Sequence, residues 1–165
     1  MTIMDELRHL ISSFGYALSG IGYGIRTQRN LRIHLVALAT VIVFNAMAGL
    51  SVIHWCIELL CCMLVISLEL VNTALEAACD RVSTQQHPLL GHAKDAAAGA
   101  VLVAAVGSVV IALLIFCFGN GAEYRLRLEA VLAYYAWVKY ALAAGAVVGI
   151  LFIFLPSILQ QQKKK

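Results

Sequence analysis

Charge is scarce in this chain. Of its 165 residues, 13% are Asp, Glu, Lys or Arg and 62% are hydrophobic, where soluble domains average about 25% and about 45–50%. That shortage excludes an ordinary soluble globular fold and predicts an integral membrane protein. Proline is nearly missing, with two residues, so little interrupts a helix in the apolar runs. Those runs are continuous rather than alternating, which excludes the strands of a membrane barrel and leaves helices as the spanning element. No Ser/Gly-rich linker, low-complexity segment or convincing repeat is present, nor enough polar sequence for a separate soluble domain. The five cysteines, Cys56, Cys61, Cys62, Cys79 and Cys117, form no CxxC pair. They read as small membrane-buried fillers, not as a disulfide framework or zinc site. The net charge of +3 is modest and is better explained by membrane topology than by nucleic acid.

In residues 1–30, Ile3, Leu7, Leu10, Phe14, Leu18, Ile21 and Ile25 recur every three or four positions. This spacing predicts an amphipathic helix lying in the membrane surface. Asp5, Glu6, Arg8 and His9 interrupt its start, so a secretory signal is not expected. Apolar runs follow over about 31–50, 52–80, 96–118 and 131–156, and each is long enough to span. Gly49-Leu50-Ser51 is a short turn between the first two. Glu58 is expected to reach the headgroups, with His54 and Trp55 in the interfacial belt. Residues 81–95 are a polar loop with turn signals at Pro88 and Gly91, and Asp95 is placed to cap the third span. His87 and His92 are too poorly spaced for a convincing metal pair. Arg8, Arg26, Arg29, Arg32, Arg81, Lys94 and Lys163 to Lys165 fall on one side of this topology, Arg125 and Arg127 on the other. The positive-inside rule makes the N-terminus, the 81–95 loop and the tail cytoplasmic.

The end of the second span carries Glu69, Asn72, Glu76 and Asp80. Steps of three and four put all four on one helical face, spread over roughly 16 Å at 1.5 Å per residue. Carboxylates at membrane depth need a partner or a task. Hard oxygens clustered with an Asn suit Mg²⁺ shared with a phosphate; a solvated polar stripe beyond the bilayer is the alternative. Lys94 brings a cation close to this stripe, as a phosphate site requires.

Glu69-xx-Asn72-Thr-Ala-x-Glu76-xxx-Asp80-Arg81, followed by His87-Pro88-Leu89 and Ala93-Lys94-Asp95-x-Ala-Ala-Gly-Ala, resembles the prokaryotic diacylglycerol kinase family, which includes undecaprenol kinases. The resemblance covers about residues 12–118. Arg29-Asn30-x-Arg32-Ile33-His34-Leu35 looks more like the undecaprenol kinase branch. The resemblance implies a homotrimer of three-span subunits, each preceded by a surface helix, with active sites shared between subunits at the cytoplasmic interface. It makes Glu69 the general base toward the lipid hydroxyl, with Ala98 also on the lipid substrate's side. Glu76 would hold the metal and ATP oxygens, and Asn72 would order groups nearby. Asp80, Lys94 and Asp95 would contact the nucleotide, and Tyr16 and Gly20 would line its cleft. Small residues along the third span, Ala96 to Ala98, Gly99, Ala100, Ala104, Ala105 and Gly107, permit the close helix packing of a trimer.

Two positions depart from the family. Gln28 stands where the family has its second metal-binding carboxylate, and Ala17 replaces a small hydroxyl residue found in some members. The segment 120–165, with its fourth span, has no counterpart in the three-span core of residues 1–119 and is expected to matter little to the chemistry. The expected protein is thus an all-α, multi-pass protein of the bacterial inner membrane. It is read as an ATP- and Mg²⁺-dependent lipid kinase, with undecaprenol the first choice of substrate and diacylglycerol the second. A non-catalytic membrane protein on a degenerate kinase scaffold is the rival reading. A small transporter would explain the buried acids but not the Lys94-Asp95 pair.

Overall fold

The computed structural model describes residues 2–82 and 87–162. The 83–86 part of the polar loop and the Lys163 to Lys165 tail lie outside the described residues. Among those described there are six helices and no strand: α1 (Ile3–Thr27), α2 (Arg29–Ala48), α3 (Val52–Val82), α4 (Pro88–Cys117), α5 (Gly121–Tyr134) and α6 (Ala136–Gln162). Helices α2, α3, α4 and residues Trp137–Pro156 of α6 are long and apolar enough to cross a membrane. The fold is that of an all-α membrane protein, with most of its large apolar side chains facing outward, as a lipid environment permits.

Helix α1 opens on a capping box. The Thr2 hydroxyl accepts the Asp5 N–H, and the Asp5 carboxylate accepts the Thr2 N–H at 2.9 Å. The Thr2 hydroxyl also donates to the Asp5 carboxylate at 2.6 Å, and this bond, with the one from the Thr2 N–H, holds the Asp5 carboxyl below its usual pKa. The helix is exposed along most of its length except at Gly24, where a Cβ would meet Leu31 Cδ2 at 2.8 Å and Leu70 Cδ2 at 3.0 Å. Hydrogen at this position therefore lets the end of α1 lie against both α2 and α3. Extended backbone at Gln28 then turns the chain from α1 into α2.

Helix α3 is central, packing against α1, α2 and α4. Gly49, at φ 64°, ends α2 in the left-handed conformation that glycine adopts freely. At this turn α5 closes the bundle. Tyr124 is buried with Ala48, Leu50 and Ile115, and its hydroxyl lies 3.0 Å from His54 Nδ1. Arg127 donates to the Gly49 carbonyl at 3.2 Å, and Arg125 donates to the carbonyl of Phe116 near the end of α4. The alternating helices thus set Arg125 and Arg127 at one end of the bundle and Arg32, Arg81 and Lys94 at the other.

Three expectations change. The third membrane helix begins at Pro88, so Asp95 lies inside α4 rather than capping it. Proline suits a first helical turn, where its missing N–H would have no partner, and the polar residues after it continue the helix. The expected fourth span over 131–156 does not begin as one helix: its first residues, to Tyr134, belong to the short helix α5, whose arginines donate to backbone carbonyls. The chain breaks at Tyr135, where Tyr134, Tyr135 and Trp137 make edge-on ring contacts. Glu58, expected at the membrane surface, faces the protein interior instead. It is buried, and its Oε1 has no hydrogen-bond partner among the described residues. Steps of seven, four and three put Glu58, Val65, Glu69 and Asn72 on one inward face of α3.

Candidate active site

The acidic face of α3 passes from buried to wet. Glu69 is 2% exposed and Asn72 6%, Glu76 is half-buried, and Asp80 is exposed. Asn72 Nδ2 donates to Glu76 Oε1 at 3.2 Å, an i, i+4 pair along the helix. From the α1–α2 elbow, Gln28 Nε2 donates to the other oxygen, Glu76 Oε2, at 3.3 Å. Each Glu76 oxygen therefore faces one amide N–H. Asn72 Oδ1, by contrast, is buried and has no hydrogen-bond partner among the described residues. That acceptor is available to a ligand. Deeper on α3, the Thr73 hydroxyl donates to the Glu69 carbonyl at 2.8 Å and is buried with it.

At the wet end, Lys94 Nζ lies 2.8 Å from Asp80 Oδ1 and ties α4 to α3. Both side chains are substantially exposed, and solvent screens pairs of this kind so that they contribute little. Lys94 can therefore exchange Asp80 for an anionic ligand at little cost. Between α1 and α3 runs an open apolar groove of about 520 Å³, walled by Ala17, Gly20 and Tyr23 on one side and Leu70, Ala74 and Ala77 on the other. Its size falls within the range of small-molecule sites.

Of the residues singled out from sequence, Gln28, Asn72 and Glu76 meet directly, and Asp80 meets Lys94. Glu69 lies further along the same face of α3, and Gly20 lines the groove. Tyr16, at 77% exposure, lines no part of that groove. Asp95 and Ala98 are exposed on α4. The weak pair His87 and His92 joins no larger group: no three His, Cys, Asp or Glu side chains come together among the described residues.

Sequence reasoning counted Arg32 among the topogenic charges and in the branch motif, but gave it no partner. In the structure it is 1% exposed. Its Nη1 donates to the carbonyls of Ile25 at 2.8 Å and Arg26 at 3.4 Å, and its Nε to the carbonyl of Ile153 at 3.0 Å. An arginine at the start of an apolar run needs acceptors, and that rule was the available signal.

A family profile described as prokaryotic diacylglycerol kinase matches residues 15–116, from the middle of α1 to the end of α4. An undecaprenol kinase of Bacillus subtilis is 45% identical over 112 residues, covering 68% of this chain and 91% of that protein. A diacylglycerol kinase of Synechocystis is 43% identical over 104 residues, 62% of this chain and 59% of that protein. The diacylglycerol kinase of Escherichia coli K12 is 29% identical over 108 residues, 66% and 85% of the two chains. No solved structure gives a significant match. With more than half of the chain matched, and the matched part holding the whole Gln28–Asn72–Glu76 cluster and the Asp80–Lys94 pair, this protein belongs to the prokaryotic diacylglycerol kinase family and is a membrane lipid kinase.

Proposed function

We propose that this protein transfers the γ-phosphoryl group of ATP to the hydroxyl of a lipid alcohol at the cytoplasmic face of the bacterial inner membrane. Undecaprenol is the preferred acceptor and diacylglycerol the second. The observation that carries this reading is the gradient along α3, from the buried Glu69 carboxyl to the half-buried Glu76 and the exposed Asp80–Lys94 pair. A lipid hydroxyl arrives from the membrane side and a triphosphate from water, and the gradient presents a different chemistry to each. The lipid oxygen forms its bond to the γ-phosphorus as the bond to the ADP oxygen breaks, and Glu69 takes the hydroxyl proton. Lys94, released from Asp80, offsets phosphate charge. Asn72, Asp80 and Asp95, with Tyr16 and Gly20 of α1, position the nucleotide. The preference for undecaprenol follows the activity for which the Bacillus subtilis relative is named.

The donors suit Mg²⁺, which takes hard oxygens and keeps part of its water shell. Glu76 offers a carboxylate, Asn72 a buried and unpartnered carbonyl oxygen, and Gln28 an amide oxygen once its amide turns. When bound, Mg²⁺ supplies charge neutralisation at the phosphate oxygens. By resemblance the working unit is a homotrimer with shared sites. The exposure of Asp95 and Ala98 on a single chain supports that reading. Residues 1–119 would form the kinase core and 120–165 the extension.

The rival is a non-catalytic protein on a degenerate scaffold. It is favoured by Gln28, which turns an amide nitrogen rather than an oxygen toward Glu76. Purified protein, labelled ATP, Mg²⁺ and a panel of lipid alcohols separate the two. Label in undecaprenyl phosphate supports the proposal, and no transfer to any lipid supports the scaffold.

A further inference from the structure

Helix α6 lies outside the family match, yet it reaches the elbow that carries Gln28. We propose that α6 is part of the kinase's working framework and that Arg32 is the positioning residue that clamps it there. The functional half of this inference rests on the lipid kinase reading above.

The last carbonyls of a helix have no partner within it. Gly24 O at the end of α1 accepts the Gln28 N–H at 2.8 Å, and the next two, Ile25 and Arg26, accept Arg32 Nη1. Arg32 thereby fixes the angle between α1 and α2, with Gln28 held at the corner. Its Nε reaches across to the Ile153 carbonyl of α6 at 3.0 Å.

A backbone carbonyl has two lone pairs, so the Ile153 oxygen can accept the guanidinium alongside a bond within its own helix. Pro156, inside α6, frees the neighbouring Phe152 carbonyl rather than this one. One turn earlier Gly149 is buried against α2, where a Cβ would lie 3.1 Å from Val36 Cγ1. Gly149 with Val36 and Ile153 with Arg32 form two successive antiparallel contacts, each four residues along its helix. Glycine brings the two backbones close enough for the arginine to cross.

A buried guanidinium that loses an acceptor must reorient or draw water in. Either response loosens its hold on the α1 carbonyls and shifts Gln28 against Glu76, only 3.3 Å away. The signature is a weaker hold on Mg-ATP. Lipid recognition along the apolar part of the site should change less.

The test is Gly149→Leu in the full-length protein in lipid nanodiscs, with Val147→Leu on the exposed face of α6 as control and Val36→Ala as rescue. Amide hydrogen exchange at the 26–31 elbow and the KM for Mg-ATP are read together. We expect Gly149→Leu to speed elbow exchange and raise the KM for Mg-ATP about tenfold, a loss of ground-state binding. Val147→Leu should match the wild type, and adding Val36→Ala to Gly149→Leu should restore much of both properties. Arg32→Gln should reproduce the Gly149→Leu phenotype without touching α6. Unchanged elbow exchange in a folded Gly149→Leu protein overturns the proposal, as does a loosened elbow with an unchanged KM. If the wild type phosphorylates no lipid alcohol, the lipid kinase reading falls, and the exchange data alone decide the clamp.

Discussion

Gln28 and Glu76, far apart in sequence, meet at 3.3 Å with the amide donating to the carboxylate. The contact joins the corner between α1 and α2 to the acidic face of α3. The family carboxylate at the position of Gln28 would set two anions against each other, a pairing that calls for a cation between them. The amide relieves that need in part, since it neutralises one Glu76 oxygen by hydrogen bonding.

Gln28→Glu should therefore raise the dependence on Mg²⁺ for stability and lower the Mg²⁺ needed for activity. A second carboxylate ligand should shift the activity midpoint down by about three- to tenfold. The melting temperature should fall in EDTA and recover with Mg²⁺. A midpoint and melting curve identical to wild type would place Gln28 outside the metal site.

Glu69→Gln should lower phosphoryl transfer by about 10²–10⁴-fold, the usual contribution of a positioned base. Nucleotide binding should survive, because the base acts only as the bond forms. Glu76→Gln should weaken Mg-ATP binding as well. Filter binding alongside single-turnover transfer separates the two effects. Wild-type turnover in both variants would make the acidic face purely structural.

Lys94→Ala removes an exposed ion pair with Asp80. Its effect on unfolding should be small, because solvent screens the pair, while the KM for ATP rises by about tenfold or more as a phosphate contact is lost. Denaturation in mixed detergent micelles and steady-state kinetics check the contrast. A large stability loss with unchanged KM would reverse the assignment.

Subunit mixing tests the shared site. Glu69→Gln and Asp95→Asn proteins should each be inactive, yet regain activity when co-assembled if one subunit supplies Glu69 and its neighbour Asp95. For a randomly mixed trimer the recovered activity should be a sizeable fraction of wild type, and cross-linking should stop at three chains. No recovery in a cross-linked mixed assembly would confine each site to one chain.

Much of this protein was legible in its sequence. Lipid tolerates a narrow choice of backbone, so four apolar runs were enough to establish a helical membrane protein. The steps from Glu69 to Asp80 were enough to place an acidic face on α3. Local spacing says less about what faces that stripe. Glu58 read as a headgroup residue because its distance along the chain is all that spacing records. Packing of α2, α4 and α5 around the start of α3 turned it inward. The polar residues after Pro88 looked like a loop because they are not apolar, although a helix outside the hydrocarbon layer needs no apolar side chains.

What the sequence by itself determined is the class of element, the number of spans and the identity of the chemical groups, because periodicity and hydropathy are properties of neighbouring residues. Tertiary structure alone decided the partners. The Arg32 guanidinium bonds to the carbonyls of Ile25, Arg26 and Ile153, and every residue has a carbonyl, so no side-chain pattern could announce which ones it would choose. That choice is made where α6, approaching through Gly149, comes within reach of α2. It turns an extension outside the family match into a neighbour of the site.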